Sequence, residues 1–292
     1  MTVAALFAAL TLMGGSPSVQ DQEPSRVDDV VVTARSPEEQ IRNFLEDISL
    51  PERSLQTARF YREICVGVIN LNPVAAQAMI DRVSEIGGAL DLRPGQPGCR
   101  PNILIVAADN GDAAANGIVD QRESFFRPDG IHMVRSLQAL DQFKNGGAPI
   151  RWWHVAVPVD SRTGRRAVRM GGEAAPIVTG SASRLRSELR TDMDRVMVIL
   201  DTSKLRGYSF RQIADYAAVV AFSQVDASAD FSQYDSVLSL FSGDRQVAGL
   251  TQWDLEYLQA LYAARLNQPA KLHQREEINL LMRRLQEGQG DD

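Results

Sequence analysis

The residues whose types invite chemistry gather between Ile213 and Tyr262. In the apolar run IADYAAVVAF, Asp215 and Tyr216 are the only polar side chains, and an acidic stretch with Asp226, Asp230 and Asp235 follows. A helix that holds a metal ion presents two imidazoles at i and i+4, on one face, with a carboxylate beside the bound water as general base. The chain has three histidines, His132, His154 and His273, and no two stand at that spacing. Asp226, Ser228, Asp230 and Ser232 alternate like the start of a calcium loop, but Phe231 stands where glycine is needed and Val237 where a bidentate glutamate is needed. No serine sits in a nucleophile-elbow motif. His154, beside Trp152, and Asp226 remain as candidate polar groups of a cleft. Arg162, Arg165, Arg166 and Arg169 make a basic hairpin, either a solvated turn or a contact for an acidic partner or lipid headgroups.

These residues need a frame. Ile41, Phe44, Leu45 and Ile48 recur at helical spacing and predict a helix over Pro37–Ile48. ICVGVIN reads as a strand, Asn72-Pro73 opens a long amphipathic helix, and NILIVAA reads as a second buried strand. A strand, helix, strand unit favours a sheet with a helix on its face. Two short helices are expected at GIVDQRESFF and MVRSLQALDQF, joined by RPDGIH. APIRWWHVAVPVD reads as a strand with Trp153 and Val155 on one face and Trp152 and His154 on the other, turning through SRTG into a partner, RRAVRM. Arg184–Arg195 reads as a mixed-charge helix leading into the strand VMVILD. Ser209 and Thr251 stand as N-caps of the next two helices, and a polar helix from about Ala270 to Glu287 ends the series.

The order strand VMVILD, helix QIADYAAVVAF, loop SQVDASADFSQYDSVLSLF and helix LTQWDLEYLQALY resembles the metzincin-type zincin metalloproteases. In that family a His-Glu-x-x-His helix leads to a glycine turn and a third His, then a Ser-x-Met segment and a Leu-Thr-x-x-Asp helix. The downstream likeness is carried by Asp235-Ser236-Val237-Leu238, Leu250-Thr251, Asp254 and Leu261-Tyr262. The resemblance spans roughly Cys65 to Leu266 and implies an α/β (α+β) zincin-like mixed sheet, with a backing helix, a former active-site helix and further C-terminal helices. The ligand and base positions fall on Asp215, Tyr216 and Val219, and the third ligand near Val225. Valine cannot ligate zinc, and a tyrosine of ordinary pKa is no general base near neutral pH. The family's glycine is replaced near Phe222. The expectation is a degenerate zincin, a pseudoenzyme without zinc, rather than a protease.

The N-terminal run VAALFAALTLMGG has the length of a leader's apolar core, too short to span a membrane, so 1–20 is expected to be a signal peptide although no Lys or Arg precedes it. Residues 21–38 read as a linker with one extended segment, Val30–Thr33, within DVVVTAR. That string resembles the TonB box of outer-membrane receptors, where a peptide adds a strand to its partner. A zincin-like domain is expected over 39–268, and a C-terminal helix with an acidic tail over 269–292. With 292 residues, 44% of them hydrophobic, the chain can bury a large core, and its net charge of -6 argues against a general nucleic-acid binder. Cys65 and Cys99 either bridge, closing a loop worth about 3 kcal/mol, or are two separate buried thiols. The expected protein is exported, of bacterial type, periplasmic or secreted, with no transmembrane anchor in its mature form. It is expected to act by binding a peptide or envelope protein. Open alternatives are a metallohydrolase built from Asp215, Asp226 and His154, and an envelope factor meeting TonB-like machinery through Val30–Thr33.

Overall fold

In the computed structural model the described residues are 36–49, 56–61, 63–126, 136–167, 187–242, 247–265, 267–268 and 270–288. The expected leader, Val30–Thr33, His132, Arg169 and the acidic tail lie outside them. Helix α1 (Pro37–Ile48) starts on a capping box between Ser36 and Glu39 and buries Ile41, Phe44, Leu45 and Ile48. The ICVGVIN segment splits around Cys65 into β1 (Glu63–Ile64) and β2 (Val66–Ile69). Asn72 caps α2 (Pro73–Gly88), whose Met79, Val83 and Ile86 are buried. Strand β3 (Arg93–Pro94) pairs with β1, and β4 (Ile103–Ala108) is the expected second strand.

Helix α3 (Gly111–Gln121) begins six residues ahead of its expected start at Gly117, because Asn110 accepts from Ala113 N–H and the alanines that follow favour a helix. After it come α4 (Glu123–Phe126) and α5 (Leu137–Asn145), the latter capped by Ser136. Strand β5 (Ile150–Asp160) matches its expectation. Strand β6 (Leu189–Asp201) corrects one: residues 189–195 were expected to be helical and are extended. Arg190 and Asp192 sit two apart on one strand face, where Arg190 Nε lies 2.8 Å from Asp192 Oδ1, so the charges that suggest helical pairs serve a strand. A ladder of eleven residue pairs with β5 outweighs the few tenths of a kcal/mol that such helical pairs supply. Helix α6 (Phe210–Phe222) starts on a Ser209–Gln212 capping box, a 3-10 turn covers Val237–Phe241, α7 (Gln252–Ala263) starts on a Thr251–Asp254 box, and α8 (Lys271–Glu287) follows.

The fold is mixed α/β. The main sheet has the order β2-β4-β6-β5, with β2, β4 and β6 parallel and β5 antiparallel to β6. Period-two alternation sends apolar residues to both faces, which must both be covered. Ile103, Ile105, Trp152, Val196 and Val198 pack with α1, α2, α6, α7 and α8. On the opposite face Val106, Trp153, Val155, Met197 and Ile199 pack with α3, α4 and α5. Gly87 sits where α2 comes closest to its neighbours: a Cβ there would lie 2.5 Å from Ile64 Cδ1 and 3.1 Å from Phe222 Cζ. Cys65 and Cys99 form a disulfide that ties the entrance of β2 to the loop before β4, and Asn102 joins the same corner by accepting from Cys65 N–H.

Candidate functional site

Strand β5 and helix α6 meet over the positions that the zincin resemblance marks. Asp215 is fully buried and engaged by three elements. Its Oδ1 lies 2.5 Å from Arg82 Nε on α2, and its Oδ2 accepts the Leu250 N–H at 2.8 Å, with Arg211 Nε 3.7 Å away. Gly249 makes this possible, because a Cβ there would fall 2.4 Å from Asp215 Oδ2 and its φ of +152° disfavours other residues. The carboxylate therefore clamps α2, α6 and the entry to α7 together.

Tyr216, one residue on, lines a cavity of about 170 Å³ with Phe143, Ile150, Trp152, Ala227 and Phe241. Its ring centroid lies 6.0 Å from Trp152 and 5.0 Å from Phe241. The phenol is 6% exposed and makes no hydrogen bond among the described residues. Burial raises its pKa above the ordinary phenol value, so it stays protonated at neutral pH and cannot act as a base. Val219 and Val225 are fully buried. The Val225 carbonyl accepts from Trp152 Nε1 at 3.0 Å, so an indole reaches toward the third-ligand position.

His154 and Asp226 do not line this cavity. His154 is 2% exposed beneath α6, with Nε2 2.6 Å from the Val220 carbonyl oxygen, and the Asp226 carboxylate accepts from Ser228 N–H and Oγ. Asp230 accepts from Ser232 in the same way. These are Asx turns, the local alternative to an ion-binding loop. Among the described residues no three His, Cys, Asp or Glu groups gather as metal ligands. The positions that zinc would need do not fit it: the valines offer no side-chain ligand, the tyrosine is neutral, and Asp215 is held by Arg82.

The downstream residues that carry the resemblance form a buried knot. Asp254 accepts from Ser236 Oγ at 2.5 Å, Val237 N–H at 2.8 Å, Thr251 N–H at 3.0 Å and Thr251 Oγ1 at 2.9 Å. The 3-10 turn and α7 are thereby capped by one carboxylate. Burial nonetheless holds the Asp254 carboxyl above its ordinary value, despite those four donors.

Sequence reading missed two members of the site. Arg82 lies 133 residues before Asp215, and no local pattern connects them. Phe241 ends the 3-10 turn, and only its place in the apolar string VLSLF marked it as buried. Trp152 was visible through its period-two relation to His154. No protein-family model matches the chain, no curated protein matches its sequence, and no solved structure matches its fold.

Proposed function

We propose that the protein is an exported, non-catalytic binding protein on a zincin-like frame, whose cleft at the β5–α6 seam takes an apolar side chain of a peptide or envelope protein. The observation that carries this reading is the aromatic cavity at the former active-site helix, walled by Trp152, Tyr216 and Phe241. Concave apolar sites with one or two polar groups are the usual form of a ligand pocket. Here the Tyr216 hydroxyl has no partner among the described residues and can meet a backbone carbonyl of the ligand.

Three further observations support the frame. The sheet is mixed with its antiparallel strand at one end, α2 and α6 pack on the same face, and α6 directly follows β6. The Cys65–Cys99 bridge supports an oxidising compartment, and among the described residues no helix is long and apolar enough to cross a membrane.

The test has two parts, on full-length protein purified without chelator. Elemental analysis is expected to find no stoichiometric zinc, and no hydrolysis of unfolded protein substrates is expected with or without chelator. Short peptides with one central aromatic residue are expected to shift tryptophan emission saturably, and Phe241→Ala is expected to weaken that binding about tenfold. Stoichiometric zinc with chelator-sensitive cleavage would overturn the reading.

A further inference from the structure

A second cavity, of about 450 Å³, opens between the segment before β1, the turn after α2 and the C-terminal turn of α7. Its chemistry centres on Arg59, which is only 7% exposed. The guanidinium donates to the carbonyls of Leu261 and Ala264, the last acceptors of α7, and its Cζ lies 5.4 Å from the Tyr262 ring centroid. These contacts cap the helix and hold the planar fork in one orientation. Among the described residues they leave part of its N–H set without an acceptor.

Among the described residues no carboxylate lies within ion-pair distance of this cation. Arg59 makes no ion pair among the described residues, and its two acidic neighbours are committed elsewhere. Asp192 is forked by Arg190 at 2.8 and 3.0 Å, and Glu277 is held by Arg265 Nε at 2.9 Å. Burial accordingly pulls the Arg59 guanidinium down to about 10, with Asp192 and Glu277 only partly offsetting it. The rest of the lining is mixed, with Phe60, Leu90, Leu92 and Tyr262 supplying an apolar and aromatic part and Tyr61 and Gln259 a polar one. One negative charge, the exposed Asp91, stands on the lining and makes no ion pair among the described residues.

We propose that this cavity binds a small carboxylate with an apolar or aromatic body, its carboxylate received by the Arg59 fork and its body by Phe60, Leu92 and Tyr262. A fixed guanidinium matches a planar carboxylate with paired hydrogen bonds, and such bonds strengthen where water is excluded. Phosphate has no apolar body to set against Phe60, Leu92 and Tyr262 and pays more to leave water, so the cavity favours the carboxylate. The site shares no lining residue with the β5–α6 cavity and does not depend on the reading given to it.

The probe is 3-phenylpropionate, titrated into the ¹⁵N-labelled full chain and followed by amide shifts, with inorganic phosphate run in parallel. Saturable shifts are expected at Tyr61, Asp91, Gln259 and Ala263, with phosphate weaker by about tenfold or more. Asp91→Asn retains the left-handed φ of +60°, which asparagine tolerates, and is expected to tighten 3-phenylpropionate by about two- to tenfold. Arg59→Lys, checked for folding by circular dichroism, is expected to weaken it by about tenfold. The Asp91 variant keeps the test decisive if the Arg59 variant fails to fold. Absence of saturable shifts at those amides in both the natural chain and Asp91→Asn would overturn the proposal, as would shifts confined to exposed arginines. Phosphate binding as tightly as 3-phenylpropionate would overturn the carboxylate assignment.

Discussion

Replacing Asp215 by alanine would leave the Arg82 guanidinium facing an empty buried position and the Leu250 N–H without its acceptor. Arg82 keeps Glu85 at 2.7 Å as a second partner, so the loss is about 2 kcal/mol, most of it the unmet buried Leu250 N–H and the lost charge-assisted bond. Urea titration of Asp215→Ala should show that loss, while Arg82→Met with Asp215→Leu should cost clearly less than the two single changes added together. A cycle with no coupling would mean that the clamp is incidental. At this scale the sequence was legible where partners are near. Thr251 and Asp254 stand three apart and declare a cap, and Asp226 with Ser228 declares an Asx turn. Asp215 was legible as a polar residue on an apolar helix, but its role was not, because the cation that defines it comes from another helix. The same holds for Arg59, whose acceptors on α7 are 202 and 205 residues away.

Among the elements, the strand, helix, strand unit around Cys65 and Cys99 was readable from runs of β-branched residues and one Asn-Pro start. The bridge itself follows from parallel pairing of β2 with β4, which brings the chain before each strand to the same end of the sheet. Its chain separation of 34 residues implies that reduction, or Cys65→Ser with Cys99→Ser, lowers stability by about 3 kcal/mol. A matched pair of denaturation curves with and without reductant measures it, and coincident curves would contradict it. In strand β6 VMVILD was read as the strand it is, but 189–195 were misread because their charges recur at spacings that satisfy helical and extended patterns alike. What decided the outcome was the long ladder with β5, a tertiary fact absent from any window of local sequence.

For the molecule as a whole, acid should be the weak direction. Thr163 holds the Asp160 carboxyl below its ordinary value, and Ser232 does the same for Asp230. At Asp201 and Glu277 burial pushes upward but is outweighed, at Asp201 by Ser203, Gly111 N–H and Lys204, at Glu277 by Gln268 and Arg265. A carboxyl lowered in the folded state contributes stability that is fully present above its unfolded pKa and is lost as pH falls through its folded value. Asp254, which is raised, acts oppositely and costs stability above its folded value. With four lowered carboxyls against one raised, urea midpoints should fall as pH drops below about 4, and Asp201→Asn should flatten that fall. A pH-independent midpoint between about 5 and 2 would contradict it.

The pairing of α1 with α8, sealed by Arg283 and Glu38 at 3.3 Å, together with the place of β4 between β2 and a strand some ninety residues later, has a kinetic meaning. The central sheet cannot close before Leu189–Asp201 has emerged from synthesis, and the helical layer over it waits for nearly all of the described chain. Contacts so distant along the chain make folding slow, because loop closure must be paid for before burial repays it. For the exported protein proposed above, a polypeptide that stays open for that long would be competent to thread through a translocation channel, its disulfide closing afterwards.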